Sequence, residues 1–209
     1  MLSARRHRDG GVDVADVRTY PVALGLDAPL EVARWRPLVH WLLAIPHLIV
    51  SSALQGLRSA LQLISFFSIL FTKQIPPAIF DLIVMTMRYQ WRVTSYMLFM
   101  RESYPPWEFE PSREDPGTDA ASFSVEYPQE LSRFMPLVKF LFAIPHFVVL
   151  ALYAIGAIFA WLGSFFAVLF TGRYPEGIRN YLVGVNRYGN RVFAYFGFLR
   201  DEYPPFSLR

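Results

Sequence analysis

The chain contains no cysteine, which excludes disulfides and thiolate metal sites and leaves the redox compartment open. Charged residues make up only 18% of the sequence, and no run of Lys and Arg with interleaved aromatic residues indicates a nucleic-acid partner. The short motifs of common catalytic centres are also missing: there is no Gly-x-Ser-x-Gly elbow, no phosphate-binding glycine loop and no His-Glu-x-x-His run. We therefore expect a protein that is not an enzyme, has no cofactor or metal site and does not bind nucleic acid.

Long apolar runs are what the sequence does have. Hydrophobic residues reach 54% and the mean hydropathy is +0.28. Two stretches, Trp41 to Phe71 and Phe140 to Phe170, exceed the roughly 20 apolar residues that cross a hydrocarbon core. The net charge of +3 suits a surface facing anionic lipid, and the three arginines of the polar segment 1–16 indicate a cytoplasmic N-terminus. These features predict a multi-pass protein of the cell membrane whose partners are the lipid bilayer and anionic lipids.

The sequence repeats itself at a constant offset of 99 residues. Ala44-Ile45-Pro46-His47 recurs as Ala143-Ile144-Pro145-His146, and Tyr104-Pro105-Pro106 recurs as Tyr203-Pro204-Pro205, with no gap between the matches. The chain is therefore two copies of one unit. Its predicted organisation is a polar N-terminal tail (1–16), repeat 1 (17–107), an acidic linker rich in Pro, Gly, Ser and Asp (108–122) and repeat 2 (123–209).

A second helix is expected after the long apolar helix of each repeat, at Pro77 to Glu102 and at Glu176 to Glu202. Basic residues on these helices fall within about 60° of arc at 100° per residue. That pattern is typical of an amphipathic helix lying in the membrane interface. The predicted fold class is an all-α integral membrane protein with two tandem repeats, and its predicted headgroup-binding residues are Arg88, Arg92, Arg187 and Arg191.

Short extended segments flank the predicted helices. They contain some β-branched or aromatic residues, which favour strand pairing. We expect a small sheet at the membrane surface, built from Val17 to Leu26, Trp107 to Glu110, Phe123 to Tyr127 and Phe206 to Leu208.

One face of the first long helix is polar. Its residues are spaced by 3 or 4 and fall within about 80° of arc, so they share a helical face. Polar groups at membrane depth are costly unless they are matched, and repeat 2 places apolar residues at most of these positions. Two interpretations stay open: a face that meets a partner protein, a lipid headgroup or a wet cavity, and a face that packs on the second repeat while Arg58 extends to water. The predicted contact residues are His47, Ser51, Gln55, Arg58, Gln62 and Ser65.

Arg58 needs a counter-charge, because no acidic residue lies within either long apolar stretch. A lipid headgroup, a partner protein and Asp81 of the next helix are the three candidates. If Asp81 is the counter-charge, Arg58 stabilises the fold and does not bind a ligand or partner.

A Pro-His pair lies near the start of each long helix, at Pro46-His47 and Pro145-His146. Proline removes a helical hydrogen bond, so a kink with a hydrogen-bonded histidine is the expected structure. The alternative is a metal or proton site formed where the two imidazoles meet across the repeat axis.

The motifs of the second repeat identify a family resemblance. Ala143-Ile144-Pro145-His146, Leu169-Phe170-Thr171-Gly172-Arg173-Tyr174-Pro175, Arg187 and Arg191-Val192 with Tyr195, and Tyr203-Pro204-Pro205-Phe206 resemble an uncharacterised bacterial family of membrane proteins with a domain of unknown function. The first repeat departs from this pattern, with Lys73-Gln74-Ile75 in place of Gly-Arg-Tyr. The resemblance implies the topology and no chemistry.

These observations predict a non-catalytic membrane accessory or scaffold protein that contacts a membrane partner or anionic lipid. The alternative is a lipid-handling or small-solute transport protein built from two repeats. The topology has two solutions, a single long helix or a helical hairpin in each repeat. The unbroken polar periodicity favours the long helix, whereas keeping all basic residues on one side favours the hairpin.

Overall fold

The structure is a computed structural model that describes residues 20–209, and both repeats contain the same elements in the same order. The predicted N-terminal tail and positions 17–19 of the first predicted strand lie outside the described residues. The prediction of a mostly helical protein with two tandem repeats is confirmed. The elements are β1 (Val22–Leu26), α1 (Arg36–Thr72), α2 (Pro77–Met97), β2 (Ala121–Val125), α3 (Met135–Thr171) and α4 (Glu176–Phe196).

Each long helix is a single unbroken helix of 37 residues, with its internal proline at Pro46 or Pro145. At 1.5 Å per residue each helix is about 55 Å long. A second proline stands in the first turn, where the missing N–H has no helical partner to lose. Both helices end on a left-handed residue, Lys73 at φ 62° and Gly172 at φ 69°. The continuous helix is thus correct and the hairpin is wrong.

The short helices α2 and α4 end about five residues before the predicted ends at Glu102 and Glu202. The chain leaves each helix through a residue with positive φ, Phe99 at 43° and Phe198 at 71°. Both residues are phenylalanines, whose side chains are strained in this conformation. Burial of the Phe99 side chain in the core offsets the cost of this conformation. The residue is 1% exposed and its ring centroid lies 6.1 Å from that of Trp161.

The two strands form one antiparallel ribbon in which Leu24 pairs with Phe123. These two residues are also equivalent positions of the repeat, so the ribbon is centred on a pseudo-two-fold axis that relates the repeats. The segments Trp107 to Glu110 and Phe206 to Leu208 are not strands, and the prediction that they join the sheet is wrong. Their aromatic residues cover the two Pro-His histidines instead.

The strands are exchanged between the repeats. Strand β2 of repeat 2 packs on α2 of repeat 1, and β1 of repeat 1 packs on α4 of repeat 2. The Nε atom of Arg88 donates to the carbonyl oxygen of Phe123, and that of Arg187 donates to the carbonyl oxygen of Leu24, at 3.1 Å in both cases. Each repeat therefore completes the fold of the other.

The long helices α1 and α3 are antiparallel, because each end of one helix is tied to the opposite end of the other. The amide of Leu131, just before α3, donates to the carbonyl oxygen of Lys73, at the end of α1 (2.9 Å). The amide of Val32, just before α1, donates to the carbonyl oxygen of Gly172, at the end of α3 (3.0 Å). Helices α2 and α4 lie between this pair and the strands, because α2 contacts both α1 and β2, and α4 contacts both α3 and β1. The fold therefore has three layers: the long helices, the short helices, and the strands with the linker.

Candidate functional site

The polar face of α1 borders a cavity between the repeats. The buried residues of α1 form two groups, Pro37 to His47 and Leu61 to Ile69, and the helix between them is not packed into the core. The cavity lies beside this middle part and has a volume of about 280 Å³. Helices α1, α2 and α4 supply its wall: Gln55, Arg58, Gln90, Trp91, Thr94, Val185, Asn186, Gly189, Asn190 and Phe193.

Arg58 is the charged residue of this wall, and its partner is neutral. Its Nη1 atom donates to the side-chain oxygen of Gln90 at 2.9 Å. Asp81 is not its counter-charge, because both oxygens of that carboxylate accept from the guanidinium of Arg113 in the linker, at 2.9 and 3.1 Å. No acidic residue is among the described residues that line the cavity. The guanidinium therefore faces a polar space with its charge unmatched.

The cavity lies near the pseudo-two-fold axis, because both members of three equivalent pairs line it. The pairs are Gln90 with Gly189, Trp91 with Asn190, and Thr94 with Phe193. The polar residues from the long helices break this symmetry, since Gln55 and Arg58 of α1 correspond to Ala154 and Ala157 of α3. The positive charge of the cavity is specific to repeat 1.

The other predicted members of the polar face lie elsewhere. His47 and Ser65 are fully buried, the latter donating to the carbonyl oxygen of Leu61 at 2.8 Å. The hydroxyl of Ser51 is buried and finds no hydrogen-bond partner among the described residues. Gln62 packs against Gly197 of repeat 2, where an added Cβ would collide with the side-chain amide nitrogen of Gln62. Of the six residues, the structure brings only Gln55 and Arg58 to the cavity.

Arg88 and Arg92 point into the protein, which corrects the prediction that they contact lipid headgroups. They are 4% and 1% exposed. Besides its bond to β2, Arg88 donates to the carbonyl oxygens of Ser112 and Glu114, at 2.7 and 2.6 Å. Arg92 forms an ion pair with Glu108 at 2.6 Å. The acidic linker supplies these partners, because it folds back over α2 and satisfies the buried charges locally.

Arg187 and Arg191 of α4 also have partners within the chain. Arg187 donates to the carbonyl oxygen of Leu208 at 3.1 Å, in addition to its bond to β1. Arg191 is 9% exposed, donates to the backbone oxygen of Arg209 and lies over the ring of Tyr20. The equivalent arginines of the two repeats thus bind linker groups in one case and C-terminal backbone in the other, so neither pair is arranged as a headgroup-facing stripe.

Each Pro-His histidine forms the predicted hydrogen bond within its own repeat. His47 Nδ1 lies 2.6 Å from the hydroxyl of Tyr89, and His146 Nδ1 lies 2.6 Å from that of Tyr188. Both imidazoles are fully buried. The ring of Trp107 stacks on His47 and that of Phe206 stacks on His146, with ring centroids 3.9 and 4.3 Å apart. This stacking was not predicted from the sequence, although an aromatic residue follows Tyr-Pro-Pro in both repeats.

The searched part of the chain, residues 20–209, contains no group of three or more His, Cys, Asp or Glu residues that could hold a metal ion. The two histidines are bonded separately, each to a tyrosine 42 residues further along the chain.

The fold and the cavity define a mostly helical protein of two tandem repeats, with two helices long and apolar enough to span a membrane. The chain belongs to the family described as Domain of unknown function (DUF4389), whose model matches it in two tandem segments, residues 34–108 and 136–207. The predicted membership of an unknown-function family with an internal repeat is confirmed. Comparison with curated proteins and with solved structures finds no match.

Proposed function

We propose that the protein is a non-catalytic membrane accessory or scaffold protein that holds an anionic lipid headgroup in the cavity at Arg58. The observation that carries the proposal is the guanidinium of Arg58, which faces a polar cavity between the repeats with only the neutral Gln90 as a partner. A charged group at this position on an apolar helix is costly unless an anion meets it.

The exposed surface of the long helices supports membrane association. The most apolar windows of α1 and α3 are only 22% and 11% buried, whereas the core helix of a soluble protein is mostly buried. Exposed large apolar residues continue from Trp35 to Phe71 and from Phe134 to Phe170. So long an apolar surface is covered by lipid rather than by water.

The chemistry of the cavity favours a phosphate over a neutral solute. A guanidinium binds phosphate oxygens through two parallel charge-assisted hydrogen bonds. The side-chain amides of Asn186 and Asn190 donate to carbonyl oxygens of their own helix, both at 2.9 Å. Arg58 is therefore the group in the cavity that is best suited to bind the anion.

The test is lipid retention by Arg58→Leu. The purified wild type should carry anionic phospholipid through mild detergent, measured by mass spectrometry, and should exchange it with added phosphatidylglycerol. We expect Arg58→Leu to weaken retention roughly tenfold or more, because one charge-assisted phosphate contact is lost. Arg113→Leu removes the same charge at a position that does not line the cavity, where Arg113 pairs with Asp81, and is the matched control. Thermal stability is measured for all three proteins.

Equal lipid retention by folded Arg58→Leu and wild type would contradict the proposal. Stoichiometric copurification of a membrane protein that is lost only in Arg58→Leu would identify a partner in place of lipid. Uptake of a solute into vesicles containing the wild type would favour the transport alternative, for which the cavity is the supporting feature.

A further inference from the structure

We propose that α1 and α3 lie flat in a single leaflet of the membrane, so that the protein enters the bilayer from one side without crossing it. This inference rests on the membrane association proposed above and concerns the orientation of the helices. It follows from where the pseudo-two-fold axis runs and from the polar layer that the axis passes through.

The axis is normal to the plane that contains α1 and α3. A two-fold axis that exchanges two antiparallel helices lying side by side must pass between them, near their midpoints and perpendicular to their common plane. The same axis passes through the Leu24 and Phe123 pair of the ribbon. The strands and the linker that packs on them are therefore stacked over the middle of the long helices and not over their ends.

An upright arrangement would place this polar layer at the depth of the lipid tails. The layer contains irregular backbone, two edge strands and the exposed carboxylates of Glu110, Glu114 and Glu126. Lipid-exposed loops, open sheet edges and charges are not tolerated in the hydrocarbon core. A flat arrangement places the same layer in water, with α2 and α4 between it and the lipid.

The length of the helices gives the same result. A helix of about 55 Å fits within a hydrocarbon core of roughly 30 Å only at a tilt of about 57°, which is beyond the usual range of 0–40°. The exposed apolar face does not stop after a membrane thickness, since it continues from Phe134 to Phe170 in α3. Lying flat, the full length of this face contacts lipid.

The charges at the helix ends fit a single side as well. Exposed basic residues stand within two positions of all four ends, at Arg34, Lys73, Arg133 and Arg173. Acidic Glu31, Glu130 and Glu176 are exposed nearby, so each end needs water or headgroups. Upright helices would place Arg34 and Arg173 opposite Lys73 and Arg133, against the positive-inside tendency. Flat helices keep all four on one side without a hairpin.

The absence of cysteine permits a direct test. Single cysteines at Arg34, Lys73 and Glu114 are labelled with a membrane-impermeant maleimide in intact cells and in inverted membrane vesicles. We expect all three to be labelled from the same side, with at least a tenfold difference between the two preparations. Labelling of Arg34→Cys and Lys73→Cys from opposite sides would overturn the proposal.

A second test measures how deeply positions along α3 lie in the membrane. Nitroxide labels at Leu137→Cys, Leu152→Cys and Phe170→Cys lie near the start, middle and end of α3. Flat insertion predicts similar depths for all three, whereas a crossing helix gives a deep middle and shallow ends. Loss of the wild type from carbonate-washed membranes would instead contradict the membrane association itself, so the failures of the two proposals are distinguishable.

Discussion

Histidine and tyrosine form the same buried hydrogen bond in both repeats. In repeat 1 the bond joins His47 Nδ1 to the hydroxyl of Tyr89, and the other ring nitrogen of His47 is buried without a partner among the described residues. The imidazole thus relies on one hydrogen bond and on stacking with Trp107. Because the same arrangement recurs at His146, it belongs to the folding unit that both repeats share.

Replacing Tyr89 by Phe should lower the free energy of unfolding by about 1–3 kcal/mol, because it leaves His47 Nδ1 buried and unpaired. Tyr188→Phe should have a similar effect in repeat 2. Thermal unfolding in detergent measures both. The double variant His47→Phe with Tyr89→Phe removes both partners of the bond. It should lower the free energy of unfolding by less than the sum of the losses from His47→Phe alone and Tyr89→Phe alone. Strictly additive losses would argue against the hydrogen bond.

Glu108 is the carboxylate of the linker that neutralises Arg92. Hydrogen bonds from Thr118 and Arg92 hold the pKa of Glu108 below its usual 4.5, more than offsetting the effect of partial burial. A depressed folded-state pKa contributes stability above the unfolded value and loses it as pH falls through the folded value. The contribution of Glu108 is therefore full at neutral pH and is lost below about pH 4.5.

Glu108→Gln should reduce the loss of thermal stability that occurs as the pH falls below 4.5. The wild type should be the more stable protein at pH 7, and the difference should shrink as the pH falls below 4.5. Exposed Glu110→Gln is the matched control, for which we expect the wild-type profile. A constant difference between Glu108→Gln and wild type at every pH would contradict the assignment.

At the scale of the elements, the left-handed residue that ends each long helix differs between the repeats, being Lys73 in repeat 1 and Gly172 in repeat 2. Gly172 adopts the left-handed conformation at the end of α3, where a glycine has no Cβ to clash. Lys73 adopts the same conformation at the end of α1 and carries the steric cost of a side chain there. The two repeats thus compare a glycine with a lysine in the same backbone conformation at equivalent helix ends.

Gly172→Ala should destabilise the protein by about 1 kcal/mol, and Lys73→Gly should be neutral or stabilising by a similar amount. Thermal unfolding of both variants in the same detergent checks the two signs. A Cβ added at Gly172 would meet the nearest atom of Arg34 at 3.4 Å, so the predicted loss is conformational and not a collision. Stabilisation by Gly172→Ala would contradict this account.

For the whole molecule, strand exchange makes the repeats interdependent. Residues of β1 bind α4, and residues of β2 bind α2. A repeat expressed alone loses the strand that covers its short helix and exposes the buried guanidinium of Arg88 or the partly buried one of Arg187. Neither repeat should fold by itself, even though the family model matches each one separately.

Cleaving the chain at the exposed Gly117 tests this interdependence. Co-expressed halves should associate and unfold together, whereas either half alone should show no cooperative thermal transition. Size-exclusion chromatography and circular dichroism measure the two properties. A single half that melts cooperatively, at the temperature of the full chain, would show that the exchanged strands are dispensable.

Much of the fold was readable from local patterns. The offset of 99 residues predicted two copies with the same elements, and the unbroken spacing of polar residues from His47 to Ser65 predicted a continuous α1. Both features depend on neighbours in sequence, so they need no knowledge of the tertiary fold. The cavity is partly predictable, since the spacing of Gln55 and Arg58 puts both on one helical face.

Only the tertiary structure determines which groups the arginine side chains contact. An amphipathic stripe at Arg88 and Arg92 looks the same whether it faces headgroups or an acidic segment of the same chain, because helical periodicity reports a face and not what covers it. The linker, 16 to 27 residues further along, covers that face. The exchange of β1 and β2 was equally hidden, since pairing between distant strands depends on how the two repeats dock. The sequence alone thus determined the elements and their repetition, while tertiary packing decided which polar groups were satisfied internally and left Arg58 facing the cavity.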